Sequence, residues 1–226
     1  MTTTKLQLLY FFDPFCGWCY AAAPALAGLA ETWPTSLKMM PSGLFSGPNA
    51  RPMTQGLADY AWQNDQRIEQ LTGERFTTFY RDNLLRGENL HFDSGPATRA
   101  MTALAAIDIA LEPAFLHAAQ LARYVDGLDT TKPATLAAIA ADLAASAGIA
   151  LDPDAFAKLI ETSETLRDTT AQRIATSFAA MQRLPSSGVP QLAVVADGRA
   201  GVLNGETLYS GPDVAIATVR KFLDGA

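Results

Sequence analysis

The chain has 226 residues, of which 49% are hydrophobic and 18% are charged, so it can fill a sizeable core in one large domain or two small ones. Its formal net charge of −6 argues against nucleic acid or an anionic membrane surface as a partner. No apolar stretch approaches the roughly 20 residues that span a bilayer, so we expect no membrane partner.

The N-terminus leads from Met1 directly into a short apolar run that Gln7 interrupts. The first stretch of small residues that resembles a cleavage site, Ala21–Ala23, lies beyond both cysteines, so cleavage there would remove them. We therefore expect a cytoplasmic protein, whose thiols rest in the reduced form.

The first predicted elements enclose the only two cysteines, Cys16 and Cys19. An apolar run over residues 6–12 predicts a strand buried on both faces, and hence central in a sheet that helices cover. A helix is predicted from near Cys16 to about Thr32, with a kink at Pro24. A second short strand over residues 37–40 completes a right-handed βαβ unit with parallel strands.

Strand, C-x-x-C and helix in this order are typical of a thioredoxin-like redox motif. The thiolate is the form that attacks a disulfide, and free cysteine, with a pKa of about 8.5, is mostly thiol at neutral pH. A helix N-terminus offers unpaired N–H groups and the positive end of the helix dipole, which favour the thiolate at Cys16. The spacing therefore predicts Cys16 as the attacking thiol and Cys19 as the resolving one.

Three other interpretations of the cysteine pair compete with this one. A structural disulfide is disfavoured, because so short a loop restricts the unfolded chain by only about 2 kcal/mol. A structural zinc site usually takes four ligands, and beyond the pair only His91 and His117 remain, both remote in sequence. We expect neither a metal nor another cofactor. The third interpretation is that the C-x-x-C spacing arose by chance, which the motif alone does not exclude.

Residues 46–183 read as helical, because proline and glycine divide the stretch into segments with helical apolar spacing. The predicted helices are residues 56–71, one that begins at 93–96 with a capping side chain, others that open at Pro113, Pro133 and Pro153, and a longer one after Ser163 that packs back onto the sheet. Their apolar stripes predict core packing.

The C-terminal stretch returns to strands. After a loop at 184–188, residues 191–195 predict a strand, Asp197-Gly198 a hairpin turn and residues 200–203 the returning strand. Asn204-Gly205 predicts a further turn, and a final helix follows Gly211.

This order is that of a thioredoxin fold, an α/β fold, with a large all-helical insertion between its βαβ half and its ββα half. The chain resembles the DsbA-like family of thiol-disulfide oxidoreductases, in particular the FrnE-type branch described as predicted protein-disulfide isomerases. The resemblance rests on residues 11–19, 41–44 and 188–190, and the helical insertion extends it over essentially the whole chain. The resemblance implies two domains. The thioredoxin-like domain consists of residues 1–45 and 184–226, and the helical insertion domain consists of residues 46–183.

The resemblance also implies roles for residues outside the cysteine pair. Pro190 is expected to be cis and to face the active-site sulfurs, and the backbone of Val189 to pair with an extended substrate. Trp18 either contacts substrate or shields the sulfurs. The family often has a buried acid six residues before the first cysteine, and here that residue is Tyr10. Whether Tyr10 or Asp13 assists the transfer of the proton from the resolving thiol stays open. Asp13 is close in sequence, but it could instead cap a turn, and as a carboxylate near Cys16 it would oppose the thiolate.

The function implied is a reductase or isomerase of protein or small-molecule disulfides, glutathione included, through a mixed disulfide at Cys16. Gly17-Trp18 contains no histidine to stabilise the thiolate, so weaker activation than in the most oxidising members is expected. The alternative is a glutathione-dependent transferase or isomerase of the kappa or hydroxychromene-carboxylate type, and a third, weaker one is a peptide-binding module with a vestigial redox pair. Monomer and homodimer both remain open.

Overall fold

A computed structural model describes residues 6–88, 90–185 and 188–225. The strands are β1 (Gln7–Phe12), β2 (Leu37–Pro41), β3 (Arg51–Pro52), β4 (His91–Phe92), β5 (Gln191–Ala196) and β6 (Arg199–Leu203). The helices are α1 (Gly17–Ala21), α2 (Ala23–Thr32), α3 (Gln55–Thr72), α4 (Thr78–Tyr80), α5 (Gly95–Ile107), α6 (Leu111–Tyr124), α7 (Pro133–Ser146), α8 (Pro153–Thr162), α9 (Glu164–Met181), α10 (Gly205–Tyr209) and α11 (Pro212–Asp224).

The main sheet has the strand order β2-β1-β5-β6, which places β1 in the interior of the sheet. β1 runs parallel to β2 and antiparallel to β5, with Leu8 opposite Leu37 on one side and Val194 on the other. β5 and β6 form the predicted hairpin, in which Asp197 and Gly198 both have positive φ, as a tight two-residue turn requires. The predicted α/β fold with a central first strand is confirmed.

The first predicted helix is two helices rather than one kinked helix. α1 ends at Ala21, α2 begins at Ala23, and Pro24 lies in the first turn of α2. Proline is tolerated in a first turn because the N–H groups there have no partner within the helix. The break confines the residues after Cys16 to a helix of five residues.

The insertion is helical as predicted, but its smallest elements have no signal in the sequence. β3 and β4 form a separate two-stranded sheet, a three-residue 3₁₀ turn spans Gly47–Asn49, and α4 continues into a π-helical turn at Arg81–Leu85. The turn predicted at Asn204-Gly205 is wrong: the Asn204 side chain accepts a hydrogen bond from the Thr207 N–H and so caps α10.

The core has two parts, one between the sheet and its helices and one where α1 meets the insertion. The second part is rich in aromatic side chains, among them Tyr20, Phe76, Tyr80 and Tyr124. α9 packs back on the sheet edge as predicted, since the Arg173 guanidinium donates to the Met39 carbonyl (2.8 Å) and to the buried carboxylate of Glu112 (2.9 Å). Over the described ranges, none of the helices combines the length and the apolar character needed to cross a bilayer.

Gly43→Ala and Gly47→Ala test the loop that joins β2 to the insertion. Both glycines have positive φ, +69° and +56°, but a Cβ at Gly43 would also lie 2.6 Å from the Ile174 side chain. At Gly47 an added Cβ meets none of the described atoms within 4 Å. We expect Gly47→Ala to lower the free energy of unfolding by about 1 kcal/mol and Gly43→Ala by about 1–3 kcal/mol more. Urea unfolding measures both, and equal losses would contradict the close contact with α9.

Candidate redox site

The two cysteines lie where β1 turns into α1. The Cys16 N–H donates to the Asp13 carbonyl (3.1 Å), and the Cys16 carbonyl accepts from the N–H groups of Cys19 (2.9 Å) and Tyr20 (3.1 Å). Cys16 is therefore the N-cap residue of α1. Both thiols are free and buried, but Cys16 keeps 7% of its surface exposed whereas Cys19 keeps none. Cys16 is therefore in contact with solvent, whereas Cys19 is not.

The loop before β5 brings Val189 and Pro190, from the C-terminal part of the chain, next to Cys16. The Val189–Pro190 peptide bond is cis, as the resemblance implies. The Cys16 thiol donates to the Val189 carbonyl over 3.7 Å, so residues 173 positions apart in sequence meet at the sulfur. Pro190 is buried and Val189 is half-buried. Three of the predicted site residues thus come together.

Trp18, another of the predicted site residues, packs against a residue that the sequence does not single out. Its half-buried ring lies on the ring of Tyr209 in α10, with the centroids 4.9 Å apart. Burial raises the pKa of Tyr209, and the nearby sulfurs of Cys19 and Cys16 raise it further. Tyr209 also packs against the core cluster that contains both cysteines. No local pattern signals this, because the contact depends on how α10 folds back over the site.

Cys19 is in an environment that disfavours its thiolate. Burial raises the pKa of the Cys19 thiol well above its ordinary value, the hydrogen bond and charge of Cys16 raise it further, and a hydrogen bond from the Asp13 backbone partly opposes this. Cys19 is accordingly a thiol at neutral pH. Before it can attack a disulfide, its proton must pass to a group nearby.

The fully buried Asp13 side chain caps the turn at residues 13–17 that joins β1 to α1, here called the redox turn. Oδ1 accepts from the Phe15 N–H (2.9 Å), and Oδ2 accepts from the Phe45 N–H (3.1 Å) and the Ser94 hydroxyl (3.0 Å). Burial raises the Asp13 pKa from 3.8 to about 6, and these three hydrogen bonds limit the rise. Asp13 is therefore mostly a carboxylate at neutral pH, yet close to titration.

Tyr10, which stands where the family often has an acid, has different properties. It is fully buried on β1, and its hydroxyl has no hydrogen-bond partner among the described residues. Burial raises the Tyr10 pKa well above its ordinary value, with smaller contributions from Cys19, Cys16 and Tyr209. The phenol thus lies near the sulfurs but does not ionise at physiological pH.

The histidines lie in different environments. His91 is exposed on β4, whereas His117 is half-buried and stacks on Tyr20 with the ring centroids 6.2 Å apart. Within the part of the chain that the structure describes, no cluster of three or more His, Cys, Asp or Glu side chains could hold a metal ion.

Tyr10→Phe is expected to leave the free energy of unfolding unchanged or to raise it by about 1 kcal/mol, because it removes a buried hydroxyl without a partner. The rate of disulfide reduction should also stay within about twofold of wild type, since so weak an acid does not relay the Cys19 proton. Urea unfolding and insulin reduction test both points, and a large loss of rate with unchanged stability would assign the relay to Tyr10.

Asp13 makes stability depend on pH. Because its pKa is higher in the folded state, its protonated form stabilises the fold below about pH 4, and this contribution is lost as pH rises through about 6. The loss is on the order of 3 kcal/mol. Urea unfolding between about pH 4 and pH 7 should therefore show a flatter profile for Asp13→Asn than for wild type. Parallel profiles would contradict the raised pKa.

Comparison with known proteins agrees with this geometry. The family model described as "DSBA-like thioredoxin domain" matches residues 7–209. The cytosolic disulfide reductase DsbM from Pseudomonas aeruginosa is 33% identical, with 97% of this chain and 100% of that chain covered and a TM-score of 0.81. Its structure with GSH is also 33% identical, covering 96% and 99% of the two chains, with a TM-score of 0.78.

A more distant match shows the fold alone. A protein from Nitrosomonas europaea, provisionally described as a protein disulfide isomerase, is 22% identical, covers 97% and 98% of the two chains and has a TM-score of 0.72. No curated protein sequence gives a significant match.

Proposed function

Because the chain belongs to the DSBA-like thioredoxin family, we propose that it reduces or isomerises disulfides through a mixed disulfide at Cys16. The observation that carries this proposal is the arrangement of the two thiols. Cys16 is slightly exposed and its sulfur lies 3.7 Å from the Val189 carbonyl, while Cys19 is fully buried one helical turn further on. A reachable attacking thiol in front of a protected resolving thiol is what two-step thiol–disulfide exchange needs.

In the first step the Cys16 thiolate attacks one sulfur of the substrate disulfide. A Cys16–substrate disulfide forms, the substrate S–S bond breaks, and the other substrate sulfur leaves as a thiolate that takes a proton from water. In the second step Cys19 gives up its proton and attacks the Cys16 sulfur, so that the Cys16–Cys19 disulfide forms and the second substrate thiol is released. Two electrons pass from the dithiol to the substrate, and a thiol reductant such as glutathione restores the dithiol.

We assign the acceptance of the Cys19 proton to Asp13. Tyr10 and Asp13 are the two candidate proton acceptors that the sequence offers. Asp13 is the one that is ionised at neutral pH, and its charge acts on Cys19. Its raised pKa of about 6 brings it closer to that of a thiol than an ordinary carboxylate, which eases the transfer.

The substrate is proposed to bind as an extended segment beside Val189, whose backbone pairs with it, while Pro190 faces the sulfurs. Trp18 and Tyr209 stack on each other and pack against the core cluster that contains both cysteines, which supports a substrate-contact role for Trp18. We also retain 1–45, 46–183 and 184–226 as the domain boundaries, a division supported by the main sheet, whose strands lie within residues 7–41 and 191–203.

The direction of electron flow and the location are inferred from the DsbM comparison. That protein is described as a cytosolic disulfide reductase, and one of its structures holds GSH. We therefore propose a cytoplasmic reductase or isomerase for this chain, with protein or small-molecule disulfides as substrates and glutathione among its thiols. The glutathione transferase alternative is less favoured, because those enzymes have a serine near the position that Cys16 occupies here.

Insulin reduction by wild type, Cys16→Ser and Cys19→Ser tests the proposal. Cys16→Ser should lower the rate at least about 100-fold, because no mixed disulfide can form. Cys19→Ser should accumulate that mixed disulfide, detected as one glutathione per chain by mass spectrometry after exposure to oxidised glutathione.

Two outcomes would overturn it. Equal turbidity curves for wild type and Cys16→Ser would show that Cys16 does not carry the reaction. Glutathione affinity that survives loss of both thiols, with no redox cycling in wild type, would favour the transferase alternative.

A further inference from the structure

Two buried side chains of opposite charge lie on the insertion side of the redox turn, and the proposed reaction uses neither. Asp65 on α3 is 4% exposed, and Arg123 on α6 is 2% exposed. Burying a charge is costly unless another group compensates it. Contacts with neighbouring groups must therefore compensate the charges of both side chains.

Asp65 contacts the residue that follows Cys16. A Cβ added to Gly17 would lie 2.6 Å from Asp65 Oδ1, so the carboxyl packs directly against the backbone between the two cysteines. The Tyr80 hydroxyl donates to the other oxygen, Oδ2, over 3.1 Å. Glycine at position 17 thus allows the carboxyl to approach the turn.

Arg123 contacts the residue that precedes Cys16. Its guanidinium lies 3.9 Å from the centroid of the Phe15 ring and 5.3 and 5.6 Å from those of Phe92 and Tyr80. These distances are those of cation–π contacts. The Arg123 Nε has no hydrogen-bond partner among the described residues, so the aromatic rings and the nearby charge of Asp65 compensate the cation.

The pair therefore flanks Cys16 on both sides along the chain. Arg123 packs on the ring of Phe15 and Asp65 on the backbone of Gly17, so each charge lies within one residue of Cys16 along the chain. In so dry a region unit charges act over longer distances than they do in water.

We propose that Arg123 and Asp65 are a pair of positioning residues that hold the Phe15–Gly17 turn and set the stability of the Cys16 thiolate, Arg123 favouring it and Asp65 opposing it. The inference rests on the proposed function, since that thiolate is the attacking group. Stabilising the thiolate stabilises the reduced pair, so the balance of the two charges sets how oxidising the pair is.

The pair also responds to pH. The titratable and charged groups that face Asp65 are Tyr80 on α4 and Arg123 and Tyr124 on α6. Burial raises the Asp65 pKa from 3.8 to about 7, although the Tyr80 hydrogen bond and the Arg123 charge lower it. Near neutral pH the carboxyl is therefore partly protonated, and the Arg123 charge is then partly uncompensated.

Alkylation of Cys16 by iodoacetamide, followed against pH in a Cys19→Ser background, tests the inference. Asp65→Asn should move the midpoint of the rate profile about half a pH unit or more to lower pH, and Arg123→Met should move it as far to higher pH. Arg123→Lys, which keeps the charge, should restore most of the wild-type midpoint. The profile should be broader when Asp65 is present than in the Asp65→Asn variant, because two coupled groups titrate in the first case and one in the second.

Asp59→Asn and Arg67→Met are the matched controls, since both residues are exposed on the same helix as Asp65, and neither should move the midpoint. Shifts of the same sign in Asp65→Asn and Arg123→Met, or none in either, would overturn the inference, because a merely structural role predicts no opposite signs. If Arg123→Met fails to fold, the Asp65→Asn shift against Asp59→Asn decides alone. Alkylation needs no turnover, so opposite shifts in a protein that does not reduce insulin would refute the proposed function and leave this inference standing.

Discussion

The two cysteine thiols lie in a region from which water is nearly excluded. Cys19 is fully buried and its pKa is raised, so its thiolate forms only when a neighbouring group takes the proton. Cys16, slightly exposed beside the Val189 carbonyl, is the sulfur that another molecule can reach. The order of reaction proposed here follows from this difference in access, because an incoming disulfide meets one thiol before the other.

The Asp13 carboxylate holds this arrangement together. Its three donors come from the redox turn, from the loop after β2 and from the residue before α5, so one buried side chain joins both halves of the βαβ unit to the insertion. A carboxylate bound in this way is structural, but its raised pKa also fits it to accept a proton. The insertion contributes further through Asp65 and Arg123, which contact the residues on either side of Cys16.

The sequence predicted the fold and the cysteine pair well, because both have short-range signals. Apolar β1, the C-x-x-C spacing and the Asp197-Gly198 hairpin are all visible within a few residues. The sequence does not reveal the break at Ala22, since a proline in a helical stretch permits either a kink or the first turn of a new helix. The role of Asn204 is ambiguous from sequence because asparagine favours both turns and helix caps.

The rest of the site could not be predicted for a different reason. Tyr209, Asp65 and Arg123 contact residues next to the cysteines through packing between elements far apart in sequence. Nothing in their local sequence distinguishes them from core or surface residues. Likewise, the proposal of Asp13 rather than Tyr10 as proton acceptor rests on burial and hydrogen-bond partners, which the sequence alone does not provide.

The most direct test of the central claim is the equilibrium of the Cys16–Cys19 pair in a series of glutathione buffers, with the fraction of disulfide read by thiol labelling. The account predicts a single reversible two-electron transition, with the dithiol dominant at the strongly reducing ratios of a cytosol. A pair that stays fully reduced or fully oxidised across the whole series, without exchanging with glutathione, would contradict it.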